Sequence, residues 1–123
     1  MARYITADLG TGIANLEMYA LIFKTDAQGQ IWNHTGLAWT AYNEGNYAVY
    51  GVPAAEIGST GVCQFLLHAD VDIPGKCYSV SIRKKVSAGS TSSPGDVTNM
   101  QFEYRVPAVA DLAPSGNTFV VSN

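Results

Sequence analysis

Apolar and polar residues alternate with a period of two along several short stretches of the chain. The clearest stretch is CYSVSIRKK, residues 77–85, in which every second residue from Tyr78 to the middle of the stretch is apolar. Such alternation is typical of a strand with one face against a core and the other against water. The stretches VCQFLLHAD (62–70) and NMQFEYRVP (99–107) repeat the pattern. The pattern therefore predicts three half-buried strands.

The first two of these strands in chain order are predicted to form one hairpin. Between them lies Pro74-Gly75, and this pair suits the central positions of a type II turn. The hairpin would bring Cys63 and Cys77 onto neighbouring strands, although a simple register places Cys77 near Leu67. Because the chain is expected to be made in a cytoplasm, free thiols are favoured over a disulfide.

Two further segments are predicted to be strands of different kinds. The segment LEMYALIFK (16–24) is apolar on both faces, and its β-branched and aromatic content favours a central strand over a short helix. The segment NYAVYGV (46–52) is predicted to be a strand that ends at Pro53. Turn signals recur about every ten residues, which is typical of an all-β sandwich or barrel. The low-complexity stretch 87–96 is predicted to be an exposed loop.

The two ends of the chain differ from its middle. Residues 1–15 show little periodicity, and the stretch from Val106 onward carries one charged residue, Asp111, before the β-prone segment TFVV at 118–121. We therefore divide the chain into an N-terminal arm (1–15), a β-sandwich domain (16–106) and a C-terminal arm or last strand (107–123). Two alternatives stay open for TFVV: it pairs within its own sandwich, or it adds a strand to a neighbour's sheet.

Composition excludes several classes of function. The net charge of −3 gives no electrostatic basis for binding nucleic acid, and no apolar stretch approaches the ~20 residues that span a bilayer. The first ten residues do not resemble a secretory signal, so synthesis in a cytoplasm is expected. Charged residues make up only 14% of the chain, against about 25% in ordinary soluble domains. We therefore expect other protein chains to cover part of the surface.

Catalytic and metal-binding patterns are not found in the sequence. It contains no nucleophile elbow, P-loop, dinucleotide fingerprint, zinc-protease motif or C-x-x-C pair. The spacing of His34, His68, Cys63 and Cys77 matches no zinc-ligand pattern. We predict a protein that is not an enzyme and that uses no metal and no cofactor.

The stretch QIWNHTGLAW (30–39) contains both tryptophans and admits two interpretations. Leu37, Trp39 and Ala41 share one strand face, which predicts Trp39 as a bulky core residue. The position of Trp32, between the core edge and an interface, stays open. If exposed, Trp32 with His34 and Tyr42 would form a surface for a ligand such as a sugar.

Five segments between residues 16 and 86 form a recognisable pattern: Met18–Leu21, Thr25–Asn33, Trp39–Tyr42, Asn46–Tyr50 and Ile73–Val80. With them, residues 16–86 resemble small immunoglobulin-like β-sandwich modules of tailed-bacteriophage virion proteins, although the last segment has one more residue between its Gly and Tyr than the family pattern has. The resemblance implies a single immunoglobulin-like antiparallel β-sandwich with extended N- and C-terminal segments, and a structural role without an active site.

The resemblance, the low charge and the apolar ends together predict a head decoration, or cement, protein located in the virion. Its expected partners are the major capsid protein and neighbouring copies of itself, as a homo-oligomer or bound to the lattice, without nucleic acid or membrane. The alternative is a receptor- or glycan-binding module of a tail or head fibre that uses Trp32, His34 and Tyr42. The residues predicted to contact the capsid are Arg3, Tyr4, Ile5, Thr118, Phe119, Val120 and Val121.

Overall fold

The computed structural model describes residues 3–8, 17–58, 61–85, 91–107 and 118–122, with only the backbone described for Arg3 and 118–122. The remaining residues, which include part of the predicted loop 87–96, lie outside this description. The described elements are β1 (Arg3–Asp8), β2 (Met18–Lys24), β3 (Gln30–Asn33), β4 (Ala38–Ala41), a 3₁₀ helix (Glu44–Val49), β5 (Val52–Glu56), β6 (Val62–Leu67), β7 (Cys77–Lys84), β8 (Val97–Arg105) and β9 (Thr118–Ser122).

The strands form two sheets that share β5. The β1 sheet has the order β5-β6-β1-β9, and the β2 sheet contains β8-β7-β2-β3-β4. Strand β5 joins them because Val52–Ala54 pairs with β2, whereas Ala55 and Glu56 pair with β6. All pairs are antiparallel except β1 with β9, which is parallel. The predicted all-β sandwich class is confirmed.

The order of the strands differs from that of immunoglobulin constant domains. In immunoglobulin constant domains the first, second, fourth and fifth strands share one sheet. Here the first two strands lie in different sheets, since β1 pairs with β6 and β9 whereas β2 pairs with β7, β3 and β5. The sandwich architecture is therefore shared with immunoglobulin domains, and the pairing of its strands is not.

Strand β2 is buried on both faces, as its sequence predicted. Met18, Ala20 and Ile22 point into the interior between the two sheets. The alternate residues Tyr19 and Leu21 point outward, where a second apolar cluster covers them. Burying one large apolar side chain contributes about 1.5–3 kcal/mol to the free energy of folding. Because β2 buries such side chains on both faces, it stabilises both the interior and the outer cluster.

The interior between the sheets is formed by the strand faces that alternation predicted. Ile5 and Phe65 of the β1 sheet face Ile22 and Val80 of the β2 sheet in one buried cluster. The polar faces of the predicted strands point the other way: Gln101, Glu103 and Arg105 of β8 are all exposed. The faces predicted to be apolar are Cys63, Phe65 and Leu67 in β6, Tyr78, Val80 and Ile82 in β7, and Phe102, Tyr104 and Val106 at β8.

The predicted hairpin between β6 and β7 is wrong. Both edges of β6 are occupied by β1 and β5, and both edges of β7 by β2 and β8. The turn itself exists: Gly75 has a φ of 84°, and the Lys76 amide donates to the Ile73 carbonyl at 3.1 Å. It leads the chain from one sheet to the other. Cys63 and Cys77 consequently lie in different sheets, and both are free thiols, as predicted.

The predicted strand 46–52 is also wrong, because most of it belongs to the 3₁₀ helix. The Asn43 side chain caps this helix by accepting a hydrogen bond from the Gly45 amide at 3.0 Å. Tyr47 and Tyr50 are three residues apart, so they lie on one side of the 3₁₀ turn, and both are buried in the outer cluster of the β2 sheet. The strand begins later, at Val52, and contains Pro53 within it.

The ends of the chain meet in the β1 sheet. Residues Arg3–Asp8 form a strand between β6 and β9, which corrects the expectation of an N-terminal arm at these positions. The segment Thr118–Ser122 pairs with β1 of the same chain, with Tyr4 opposite Thr118. Apart from Pro107, the rest of both predicted arms lies outside the described residues.

Two adjacent residues of β6 allow a test of its faces. Phe65 is 2% exposed and Leu66 is 45% exposed. Replacing Phe65 with Ala should therefore lower the free energy of unfolding by about 3–5 kcal/mol, whereas Leu66→Ala should change it by about 0.5 kcal/mol or less. Urea unfolding of both variants measures the difference. Equal losses would contradict the assignment of the two faces.

Candidate binding surfaces

Trp32 belongs to the interior and cannot serve as a sugar platform. Its side chain is 1% exposed, and its ring meets Trp39 edge-on with centroids 5.5 Å apart. The indole N–H donates to Nδ1 of His34 at 3.3 Å. The aromatic ring on which the predicted ligand surface was based is therefore enclosed by the two sheets.

The structure does not bring Tyr42 together with Trp32 and His34. His34 is in the turn of the β3–β4 hairpin, whereas Tyr42 follows β4 at the other end and donates its amide to Gly29 at 2.8 Å. Tyr42 packs on Phe23, at the outer face of the β2 sheet. The pKa of His34 is lowered, mainly because the imidazole is partly buried and to a lesser extent because His68 lies nearby. The predicted three-residue ligand surface is thus corrected: its members are divided between two faces and two ends of the hairpin.

Trp39, predicted as the main core tryptophan, lies at the rim. It is half-buried and stacks on Tyr78 with centroids 5.3 Å apart, and the Lys24 ammonium lies 4.9 Å from its ring centroid. Leu37, expected on the same buried face, is 48% exposed in the turn with a φ of 54°. Trp32, whose position the sequence left open, is therefore the more deeply buried tryptophan, and Trp39 packs against the edge of the core.

The terminal residues predicted to contact a partner divide by strand face. Ile5 is fully buried opposite Phe65, so its side chain is core and cannot reach a partner. Tyr4 is 40% exposed and lies directly opposite Leu66, which is exposed as well. The backbone register brings both terminal segments together, with Ile5 opposite Phe119. The side chains of Arg3 and 118–121 lie outside the described residues.

We name the outer face of the β1 sheet around Tyr4 and Leu66 the Tyr4 face. Beside the exposed pair, Gln64 donates its amide to the Thr6 hydroxyl at 3.1 Å, which joins the two strands on the same face. Exposed Ala55 continues the face opposite Gln64. The Tyr4 face is thus a small surface on a regular ladder, apolar at Tyr4 and Leu66 and polar at Thr6 and Gln64.

A groove of about 690 Å³ opens on the opposite side of the sandwich, between the β3–β4 hairpin and the 3₁₀ helix. We name it the Tyr42 groove. The sequence named Tyr42 in this region but grouped it with Trp32 and His34, and it did not indicate the groove. The lining residues are Asn33, Thr40, Ala41, Tyr42, Asn43, Glu44, Asn46, Val49 and Tyr50.

Tyr50 holds the backbone of the groove in place. Its side chain is buried, and its hydroxyl oxygen accepts a hydrogen bond from the Asn43 amide at 2.9 Å. The same hydroxyl lies 3.4 Å from the Ala41 carbonyl, to which it can donate. The segment that carries Tyr42 is therefore fixed on both sides of that residue.

A polar cluster around the Tyr19 hydroxyl is buried and has a structural role. The Tyr19 hydroxyl donates to Asp96 Oδ2 at 2.6 Å and lies 2.9 Å from the Tyr47 hydroxyl. Arg83 in turn donates to Tyr47 at 3.1 Å. Burial and the bond to Asp96 raise the pKa of Tyr19 far above its usual range. With both ends of the Tyr19–Asp96 bond enclosed, the cluster fixes the loop before β8 onto β2.

A cavity of about 520 Å³ lies beside the start of β2. It is lined by Glu17, Glu56 and Lys85 among others, and the Lys85 ammonium donates to Glu17 at 3.0 Å. Lys85, the one positively charged residue among the described residues that line the cavity, is therefore paired with the Glu17 carboxylate.

Metal-ligating side chains do not cluster in the part of the chain that the structure describes, where no three His, Cys, Asp or Glu residues come together. Within the same residues, no helix has the length and apolar character needed to cross a membrane. The chain matches no known protein-family model, no curated protein and no solved structure.

The buried tyrosine bond gives a first prediction for this region. Replacing Tyr19 with Phe removes a donor from the enclosed Asp96 carboxylate and should lower the free energy of unfolding by about 1–3 kcal/mol. Tyr42→Phe is the matched control, because its exposed hydroxyl should matter by about 0.5 kcal/mol or less. Chemical denaturation of both variants measures these changes in the free energy of unfolding. A Tyr19→Phe variant as stable as the control would show that the bond is not structural.

Alkaline pH should destabilise the fold. Burial raises the pKa of the Cys63 thiol from 9.0 to about 11 and that of Tyr78 from 10.0 to about 12. Above the unfolded values the unfolded chain loses these protons first, so stability is full below about pH 9 and falls as pH rises toward 12. The urea midpoint should fall in this window, and less steeply in Tyr78→Phe. A midpoint independent of pH would contradict this expectation.

Proposed function

We propose that the chain is a bacteriophage virion structural protein, of the capsid-decoration or cement type, that attaches to the head lattice through the Tyr4 face. The observation that carries the proposal is the exposed pair Tyr4 and Leu66, which lie opposite one another on the outer face of the β1 sheet. The resemblance of residues 16–86 to phage virion modules supplies the biological setting.

The position of the Tyr4 face supports attachment to another protein. An apolar cross-strand pair of this kind has no cover within the described residues, and burying it against a partner would gain hydrophobic free energy. At the edge of the same sheet, β9 has a strand neighbour on one side only among the described elements. An edge with unpaired backbone groups can accept a strand from another chain.

The manner of attachment differs from the one that the sequence suggested. The sequence predicted an N-terminal arm and left TFVV open between a last strand of its own sandwich and a strand added to a neighbour; in the structure β1 and β9 pair with each other in the chain's own sheet. The contact is therefore proposed to be a preformed sheet face and edge, which loses less conformational entropy on binding than two free arms would. The partners remain the major capsid protein and neighbouring copies of the chain.

Repetition compensates for the small size of the face. One Tyr4–Leu66 pair gives a weak contact by itself, but a lattice presents the same contact many times, and linked contacts raise the overall affinity without any new interaction. The low charged fraction, 14%, agrees with a surface that is partly covered in an assembly.

The proposal predicts that the chain is a component of phage heads. Particles are purified from the organism that encodes it, and their proteins are quantified by mass spectrometry. We expect the chain at a fixed ratio to the major capsid protein, in many copies per particle. Heads that lack the chain altogether would contradict the proposal.

Heads stripped of the chain then test the surface. A Tyr4→Asp variant places a charge in the proposed contact and should rebind about tenfold more weakly, equivalent to ~1.4 kcal/mol. Tyr42→Ala, which alters a tyrosine of similar exposure on the opposite face, should rebind like the unmodified protein. Circular dichroism verifies that both variants fold. Equal rebinding by both would contradict attachment through the Tyr4 face.

A further inference from the structure

We propose that the Tyr42 groove binds a neutral sugar residue of a glycan chain. This inference goes beyond the attachment role, because the groove lies on the opposite outer face of the sandwich from the Tyr4 face. It rests on three features of the groove: an exposed aromatic ring, side-chain amides with unused donors, and a backbone that is fixed in advance.

The aromatic ring is Tyr42. The ring packs against Tyr50, with centroids 5.6 Å apart, and against Phe23, with centroids 6.2 Å apart. Its side chain remains 38% exposed. These contacts hold the ring, and its exposed part leaves apolar surface for a ligand, which a tyrosine combines with a polar hydroxyl. The apolar C–H face of a pyranose ring is complementary to such a surface.

The polar groups are matched to sugar hydroxyls. The side-chain oxygens of Asn33 and Asn43 accept the Gly36 and Gly45 amides, at 2.7 Å and 3.0 Å. These bonds fix both carboxamides, since an amide that accepts through its oxygen presents its NH₂ group elsewhere. Neither NH₂ group donates to any described residue, so both can donate to a ligand.

Glu44 supplies the acceptor and selects the charge of the ligand. Its carboxylate lines the groove and is close enough to Tyr42 to contribute, after burial, to the raised pKa of that tyrosine. It is the one charged side chain among the residues that line the groove. A carboxylate accepts hydrogen bonds from hydroxyls and repels anions. The groove therefore favours neutral over acidic sugars.

The size and rigidity of the groove suit a small oligosaccharide. A volume of about 690 Å³ lies within the range of ligand sites in proteins, about 300–1,000 Å³. The bonds of Tyr50 to Asn43 and Ala41 hold the segment around Tyr42 before any ligand arrives. A fixed site loses little conformational entropy on binding.

The test is a nuclear magnetic resonance titration of the ¹⁵N-labelled protein with maltotriose, cellotriose and N,N′-diacetylchitobiose at millimolar concentrations, with sialyllactose as the acidic probe. We expect at least one neutral probe to shift backbone amides of the Tyr42 groove, and sialyllactose to bind at least tenfold more weakly. Neutral probes that shift no groove amide, or tighter binding of sialyllactose, would overturn the proposal.

Two tyrosines of nearly equal exposure provide the matched variants. Tyr42→Ala should weaken sugar binding about tenfold, because it removes the stacking surface. Tyr42→Phe should bind within about threefold of the unmodified protein, since it keeps the ring. Tyr4→Ala is the control: Tyr4 is 40% exposed, and its loss should leave sugar binding unchanged. If Tyr42→Ala retains its dispersed spectrum and binds as tightly as the control, the groove is not the sugar site.

Discussion

The burial of β2 on both faces is the constraint on which the rest of the structure depends. Even-numbered residues such as Ala20 and Ile22 close the interior, while Tyr19 and Leu21 need cover of their own on the outside. That cover comes from the 3₁₀ helix that contains Tyr47. One apolar strand thus requires a sandwich on one side and an added layer on the other.

The two outer faces of the sandwich differ because of this layer. On the β2 sheet, the segment that brings Tyr47 and Tyr50 into the outer cluster also forms a wall of the Tyr42 groove. On the outer face of the β1 sheet, Tyr4 and Leu66 remain exposed. A protein with an exposed apolar pair on one face and a groove on the opposite face can bind a surface with the first and face solvent with the second.

The sequence predicted which faces are buried better than it predicted which strands pair. Period-two alternation identified Phe65 and Val80 as core, because a strand's inner face is encoded locally. The pairing of β6 with β1 is a contact between distant segments, and no local pattern encodes it. Trp32 was left open because its burial depends on which side of the hairpin faces the other sheet. The Tyr42 groove depends on how Asn33 and Asn43 orient their amides, which composition cannot show.

We propose that the protein binds a phage head with the Tyr4 face inward and the Tyr42 groove outward. An electron cryomicroscopy map of the decorated head tests it most directly, because both faces can be located in one density. The account predicts that Tyr4 and Leu66 contact the capsid or a neighbouring copy, while the groove faces solvent. A map in which the β1 sheet faces outward and the Tyr42 groove is buried against the capsid would contradict it.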